Sequence, residues 1–395
     1  MKKKLSIGFI SEFSPKDRSF WSGIPYTAYR LLERHHTVEW VNPEISRLFI
    51  RVLKARKGLA LLLGGNYDWT HALALSRYLG KRLTQKLRGQ EFDVLLATAA
   101  STSLAFLDTD IPIIYLSDTT FGLIHNYYGN YSKLCRQNVN EGNLIERRAL
   151  GKASAVVVAS EWARRSVVDD YKISPSKAHV VQFAPNIERL PEADDIRYRR
   201  GGSMNLLFVG IDWNRKGGDI AIKTYNILKR RYPNCRLRIV GGSPRERLSD
   251  RGIEIHGLLD QAKPEDMQKL VSFYLDTDFF LLPTQAEAAG IVFAEASAFG
   301  VPSLTFDTGG VRSYVEDNVN GYVLAHDANE TAFAERIISV YDSPSDYERL
   351  RKSTRLAFET RFSAERWEKS LEEILESVLE KASPRAAMPG RDNTI

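Results

Sequence analysis

Short apolar, β-branched runs recur along the chain at 5–10, 37–41, 93–97, 113–116, 155–159 and 179–183, and again at 205–209, 236–240, 253–256, 279–282, 303–306 and 322–324. Helical patterns lie between them. Strands separated by helices imply βαβ units, and runs this uniformly apolar fit parallel sheets buried on both faces. The pattern breaks at 184–203, where Pro185, Pro191, clustered charge and Gly201-Gly202 have linker composition. The chain is therefore expected to be α/β, with two doubly wound domains over 1–184 and 204–362 joined by a linker at 185–203. A helix over 363–381 follows Ser363, a suitable N-cap, with Trp367 and Glu368 near its start. Residues 382–395 read as a disordered tail.

A length of 395 residues suits two or three domains, and 43% hydrophobic with 26% charged residues is ordinary for a soluble globular protein. No apolar run approaches the ~18–20 residues that cross a bilayer. The opening Met1-Lys2-Lys3-Lys4 resembles the charged start of an export signal. The apolar stretch behind it ends at Ser11-Glu12 without a small-residue cleavage site, so it reads as the first strand. Cys135 and Cys235 stand far apart with no C-x-x-C, which argues against a disulfide framework and a zinc site and fits a reducing cytoplasm.

The net charge of +6 is unevenly spread: residues 1–190 carry 27 basic and 17 acidic side chains, and 191–395 carry 28 and 32. Segment 46–88 alone holds ten basic residues, among them Arg47, Arg51, Lys54, Arg56 and Lys57, against the single acid Asp68. Such a segment fits an anionic lipid surface, which would make the protein peripheral at the inner membrane face, or an acidic acceptor; a plain solvated helix face is the alternative. No helix-turn-helix, RNA-recognition or zinc-finger signature accompanies it, so nucleic acid is not an expected partner.

Ligands of open α/β sheets sit beyond the carboxyl ends of the strands, so chemistry is sought in loops that follow strands. Two D-x-D sequences, Asp108-Thr109-Asp110 and Asp276-Thr277-Asp278, instead precede strands and are read as turn-formers on the far edge. After the strand at 205–209, Gly210 leads into Arg215, Lys216, Gly217 and Gly218 and then a helix. Two cations beside a helix N-terminus suit a diphosphate, although a turn with surface cations has the same composition. The segment is neither a Walker A loop nor a G-x-G-x-x-G. After the strand at 279–282, Glu287 falls in the loop before a helix starting near Gly290, and Glu295 falls inside that helix among Phe293, Ala294, Ala296 and Ala298. A carboxylate in so apolar a helix needs a partner, such as a polyol. In the N-terminal half, Gly23 would bring backbone N–H groups towards a phosphate, with Ser22 as N-cap and Pro25 in the first turn. The segment 121–131, with His125, Tyr127, Tyr128 and Tyr131, reads as loop packing or as rings for stacking on sugars.

Glu287 and Glu295 at E-x7-E spacing, continued by Glu295-Ala-Ser-Ala-Phe-Gly-Val-Pro302, Asp307-Thr-Gly-Gly310 and Asn320-Gly321, resemble glycosyltransferase family 4. The glycine-to-lysine spacing from Gly210 to Lys216, the loop Ser22-Gly-Ile-Pro25, Glu146 through Ala149 and Ser160-Glu-Trp162 extend the resemblance over most of the chain. It implies the GT-B fold, with a C-terminal helix crossing back to the N-domain. It also implies retaining, metal-independent transfer from a nucleotide-sugar, with no cofactor, to a glycan, lipid-linked or small-molecule acceptor. Catalytic roles fall on Glu287, Lys216 and Arg215; donor contacts fall on Gly23, Gly210, Gly217, Leu258, Ala289, Gly290, Ile291 and Glu295. Two positions depart from the family pattern. Ile211 stands where many members have Arg, which leaves Arg215 as the second cation, and Asp118 stands where many have His. Asp118 ends a strand at the cleft edge and is a candidate proton acceptor, or alternatively a helix N-cap. The rival reading is a non-catalytic subunit that binds sugar-nucleotide or polysaccharide.

Overall fold

All twelve apolar runs form strands, β1 Ser6–Ile10, β2 Thr37–Val41, β3 Val94–Thr98, β4 Ile113–Ser117, β5 Ala155–Val158, β6 Ala178–Val180, β7 Asn205–Gly210, β8 Arg236–Gly241, β9 Ile253–Ile255, β10 Phe279–Leu281, β11 Ser303–Phe306 and β12 Gly321–Leu324. The computed structural model describes residues 3–62, 65–187, 189–198, 200–244 and 250–382, so nearly all of the expected tail lies outside the described residues. Two six-stranded sheets result, ordered β2-β1-β3-β4-β5-β6 and β12-β11-β10-β7-β8-β9. Every pairing is parallel. Consecutive strand residues point to opposite faces: Ile7 and Phe9 enter one core cluster, and Ile10 enters another across the sheet. Both faces of the inner strands are covered, which is why β3, β4, β5, β10 and β11 read as unbroken apolar runs, whereas the edge strands β2 and β9 are partly exposed.

The last run of the first half is shorter as a strand than as a sequence pattern. β6 stops at Val180; Val181 N–H still donates to Val158, and then Phe183 N–H reaches the Tyr314 hydroxyl of the second half at 2.8 Å. Val181, Phe183, Ala184 and Ile187 are apolar because they form the core beneath this crossing.

The chain crosses back once more. Ser363 caps the helix Ala364–Ala382 by accepting the Arg366 N–H at 3.2 Å, and the helix leaves the second sheet to lie against the first half. Trp367, 1% exposed, packs on Phe183 with ring centroids 5.7 Å apart. Glu368 meets Arg34 and His35 at 3.4 and 3.1 Å, and Glu372 meets His36 at 2.7 Å. Burying a tryptophan this completely is worth ~3–5 kcal/mol against its loss. The carboxyl ends of the two sheets thereby face each other across a cleft.

Candidate functional site

On the second sheet, the carboxyl end of β7 delivers the two cations. Gly210 leaves room for Lys216: a Cβ there would come within 2.8 Å of the lysine Cγ. Gly217, at φ +75°, turns the chain into helix Gly218–Arg231 so tightly that a Cβ would fall 2.0 Å from the Pro283 carbonyl. Glycine meets both demands, and the lysine is thereby pressed against the loop after β10. There the Lys216 Nζ pairs with Glu287 Oε2. Arg215 Nη1 donates to the Ala286 carbonyl at 2.8 Å and stands 3.9 Å from Glu287 Oε2. Both cations therefore converge on one carboxylate at a helix N-terminus, where backbone N–H groups and the helix dipole favour negative charge.

Across the cleft, β4 ends beside Asp118. Its carboxylate accepts the Trp21 indole N–H at 3.2 Å, and burial pushes its pKa from 3.8 up to about 6, with the negative Glu287 opposite adding to the rise. Thr120, not Asp118, caps the following helix Phe121–Ile124, so the N-cap reading of Asp118 is set aside. Trp21 was not singled out by sequence. It lies with Ser22 and Gly23 in a run of left-handed residues at φ 44°, 52° and 74°. Two consecutive non-glycine residues in that region cost ~1–3 kcal/mol each, and such strain collects at functional sites. Ser22 was expected as the N-cap of helix Ile24–Glu33. Gly23 takes that position without a side-chain cap, because the turn that aims Trp21 at Asp118 carries Ser22 away.

The loop 121–131 does more than pack within its own half. The Tyr127 hydroxyl accepts the Glu287 N–H, and the Tyr128 hydroxyl accepts the Ala288 N–H, both at 2.8 Å. Arg215 stands over the Tyr128 ring, 5.5 Å from its centroid. The two tyrosine hydrogen bonds join residues 160 positions apart, and no local pattern announces them. Ala289, Gly290 and Ile291, three expected donor contacts at the start of helix Ile291–Ala298, are buried.

The remaining expected residues separate. Leu258 is 70% exposed beyond β9, and Ile211 is 71% exposed beyond β7. Glu295 is 2% exposed; its Oε2 accepts the Tyr274 hydroxyl at 3.1 Å, and it is bonded by the Asn186 backbone. Burial lifts its pKa from 4.5 to about 7. Glu295 thus faces the core here while Glu287 faces the cleft. Among the D-x-D residues, Asp276 pairs with Arg238 at 2.8 Å. Asp278 is fully buried and accepts the Asn205 N–H at 2.7 Å and the Tyr347 hydroxyl at 2.5 Å. Both stand before β10, and Asp278 is bound into the core.

From Asp118 and Tyr128 a cavity of about 990 Å³ runs into the first half. Glu12, His71 and Glu146 line it beside Trp69, Phe121 and Tyr131. His71 Nδ1 lies 2.5 Å from Asp68 Oδ2. Glu146, 2% exposed, is pushed by burial to a pKa of about 7, and its Oε1 has no hydrogen-bond partner.

Comparison with known proteins finds likenesses in both halves. The model for glycosyl transferases group 1 matches residues 195–357, and the model for Glycosyltransferase Family 4 matches 26–189. A D-inositol 3-phosphate glycosyltransferase of Corynebacterium aurimucosum is 26% identical over 57% of this chain and 57% of its own length. The chain spans about half the length of the curated relatives it matches. Sucrose-phosphate synthase of Thermosynechococcus elongatus superposes with a TM-score of 0.67 at 15% identity, over 96% of this chain and 100% of that one. Anabaena HepE in complex with UDP and glucose gives 0.62 at 15% identity, over 94% and 100%. Two Rossmann-like halves, the crossing C-terminal helix and family matches to both halves lead to one assignment: the chain belongs to the group 1, family 4 glycosyltransferases, with the GT-B fold.

Proposed function

We propose that this protein transfers a hexose from a nucleotide-sugar to a glycan, lipid-linked or small-molecule acceptor, with retention of anomeric configuration and without a metal ion. The observation that supports it most is the convergence of Lys216 and Arg215 on Glu287, opposite Asp118, at the mouth of a large cavity. In this reading the diphosphate lies over Gly210 and Gly217 against the two cations. As the bond between the sugar C1 and the diphosphate oxygen breaks, its electron pair leaves with the diphosphate, and Lys216 and Arg215 stabilise the growing charge. The acceptor hydroxyl oxygen bonds to C1 and its proton passes to Asp118, whose raised pKa suits a base near neutrality. Glu287 exchanges part of its pairing with Lys216 for hydroxyls of the donor sugar. Ile211 and Leu258, exposed beyond β7 and β9, offer apolar faces to the base, and Glu295 takes the ribose once it turns from Tyr274. The UDP and glucose named for the HepE complex make UDP-glucose a natural first donor to try.

Peripheral attachment to an anionic membrane belongs to the same proposal. No helix among the described residues is long and apolar enough to cross a membrane. Helix Arg47–Leu62, however, exposes Leu48, Val52 and Leu62 on one face beside the exposed Arg47, Arg51 and Arg56.

The deciding experiment is release of nucleoside diphosphate from a panel of UDP- and GDP-hexoses, with Lys216→Met and Glu287→Gln as controls. Each variant should lose about 10²–10³ in turnover, the effect of removing one preorganised electrostatic group. Binding without any turnover would leave a non-catalytic sugar-nucleotide-binding subunit instead.

A further inference from the structure

The cavity running from Asp118 into the first half has a charge pattern that narrows what can enter it. Four carboxylates line it, Glu12, Glu44, Asp118 and Glu146, and Lys54 is the single lysine or arginine among the described lining residues. Glu44 is turned outward, to Lys86 at 2.6 Å and Arg82 at 3.4 Å. Lys54 stands over the Trp69 ring, 5.5 Å from its centroid. The one imidazole, His71, is held by Asp68 through Nδ1, which leaves its Nε2 edge to other partners. Glu12 and Glu146 therefore face the cavity with no guanidinium among its described lining residues, and Asp118 stands at its mouth, where Arg215 lies over the Tyr128 ring.

Glu146 makes the most specific demand. It lines the cavity at 2% exposure, and its Oε1 has no hydrogen-bond partner. A buried carboxylate oxygen without a donor is costly, and a ligand hydroxyl removes that cost. A phosphate supplies no such donor at neutral pH and brings two negative charges into a cavity lined by acidic side chains. Around these groups stand Trp21, Trp69, Phe121 and Tyr131, rings of the kind that cover the apolar face of a pyranose.

We propose that this cavity is the acceptor site and that it selects an uncharged, polyhydroxylated sugar terminus over a phosphorylated one, with Glu12, Asp118 and Glu146 accepting the acceptor's hydroxyls. The proposal rests on the glycosyltransferase reading above. It goes beyond it by naming the acceptor class and by setting this chain apart from a relative named for a phosphorylated inositol.

The test titrates the full-length protein with methyl α-glucopyranoside and methyl α-mannopyranoside, and with glucose 6-phosphate and mannose 6-phosphate. Tryptophan emission is the readout, since Trp21 and Trp69 line the cavity. The neutral glycosides should bind saturably and at least tenfold more tightly than the phosphates. Glu146→Gln should narrow that gap to below threefold. So should Glu12→Gln, at an accessible position where the change does not endanger folding. Phosphates binding as tightly as the neutral sugars, or no saturable binding by the neutral sugars, would overturn the proposal. Nucleotide-sugar turnover on the same preparation separates the two readings. Turnover with preference for phosphates defeats the acceptor assignment alone, whereas selective binding of neutral sugars with no turnover upholds the site and defeats the transferase reading.

Discussion

Glu287 and Glu295 belong to one motif yet meet opposite surroundings, and their titration should differ accordingly. Burial places the Glu295 pKa near 7 against 4.5 in an unfolded chain, so folding favours its protonated form. The resulting stability is complete below pH 4.5 and is lost as pH rises through 7, at ~1.4 kcal/mol for each pH unit between those values. Thermal unfolding of Glu295→Gln, which does not titrate, should fall less than that of the parent between pH 4.5 and 7.5. Parallel profiles would refute the burial of a proton there. Glu146 titrates over the same range in both proteins and cancels in the comparison. Asp118 carries a different prediction: as a base it must be ionised, so kcat/KM should decline below pH 6, and Asp118→Asn should remove that limb along with most activity. A limb that survives the substitution would assign it to another group.

The strands were legible as elements because both faces of each sheet are covered, which leaves uninterrupted apolar runs such as Leu206–Phe208 and Phe279–Leu281. The loops after β7 and β10 were legible for another reason: their glycines and charges act within a few residues of one another. Trp21 was hidden because its importance lies in a left-handed backbone that tryptophan seldom adopts. Tyr127 and Tyr128 stood out in the sequence as rings, but the contacts they make were hidden because their hydroxyls act on amides in the opposite half. The helix Arg47–Leu62 is intermediate, since its charge was plain in the sequence while its exposed apolar face needed the fold. Among its described side chains only Leu53 is deeply buried, against Tyr67, Leu75 and Leu79. The protein should therefore pellet with vesicles containing anionic lipid and less so as salt rises, each cation near the surface contributing ~1 kcal/mol. Reversing Arg47, Arg51 and Arg56 to Glu should abolish pelleting with donor hydrolysis intact; equal recovery on neutral vesicles at low salt would discount the surface. Lys54 is left unchanged in that variant because it lines the cavity.

At the scale of the whole molecule, the two sheets sort acids by edge. Carboxyl ends carry Asp118 and Glu287, while Asp276 and Asp278 stand at the amino end of β10, one paired with Arg238 and one bound into the core. With Lys216 and Arg215 available to the diphosphate, transfer should persist in EDTA. Complete loss restored by magnesium or manganese would overturn that expectation. The double passage of the chain between the halves has a mechanical consequence. Two bodies joined at two points rotate freely only about the line through them, so opening and closing here reduce to a single angular coordinate. The rings of Trp367, Phe183 and Trp21 succeed one another at 5.7 Å along that axle, and the last of them holds the Asp118 carboxylate. The angle between the halves is thus geared to the placement of the Asp118 carboxylate, and in the proposed transfer a donor that draws the halves together would also set the base.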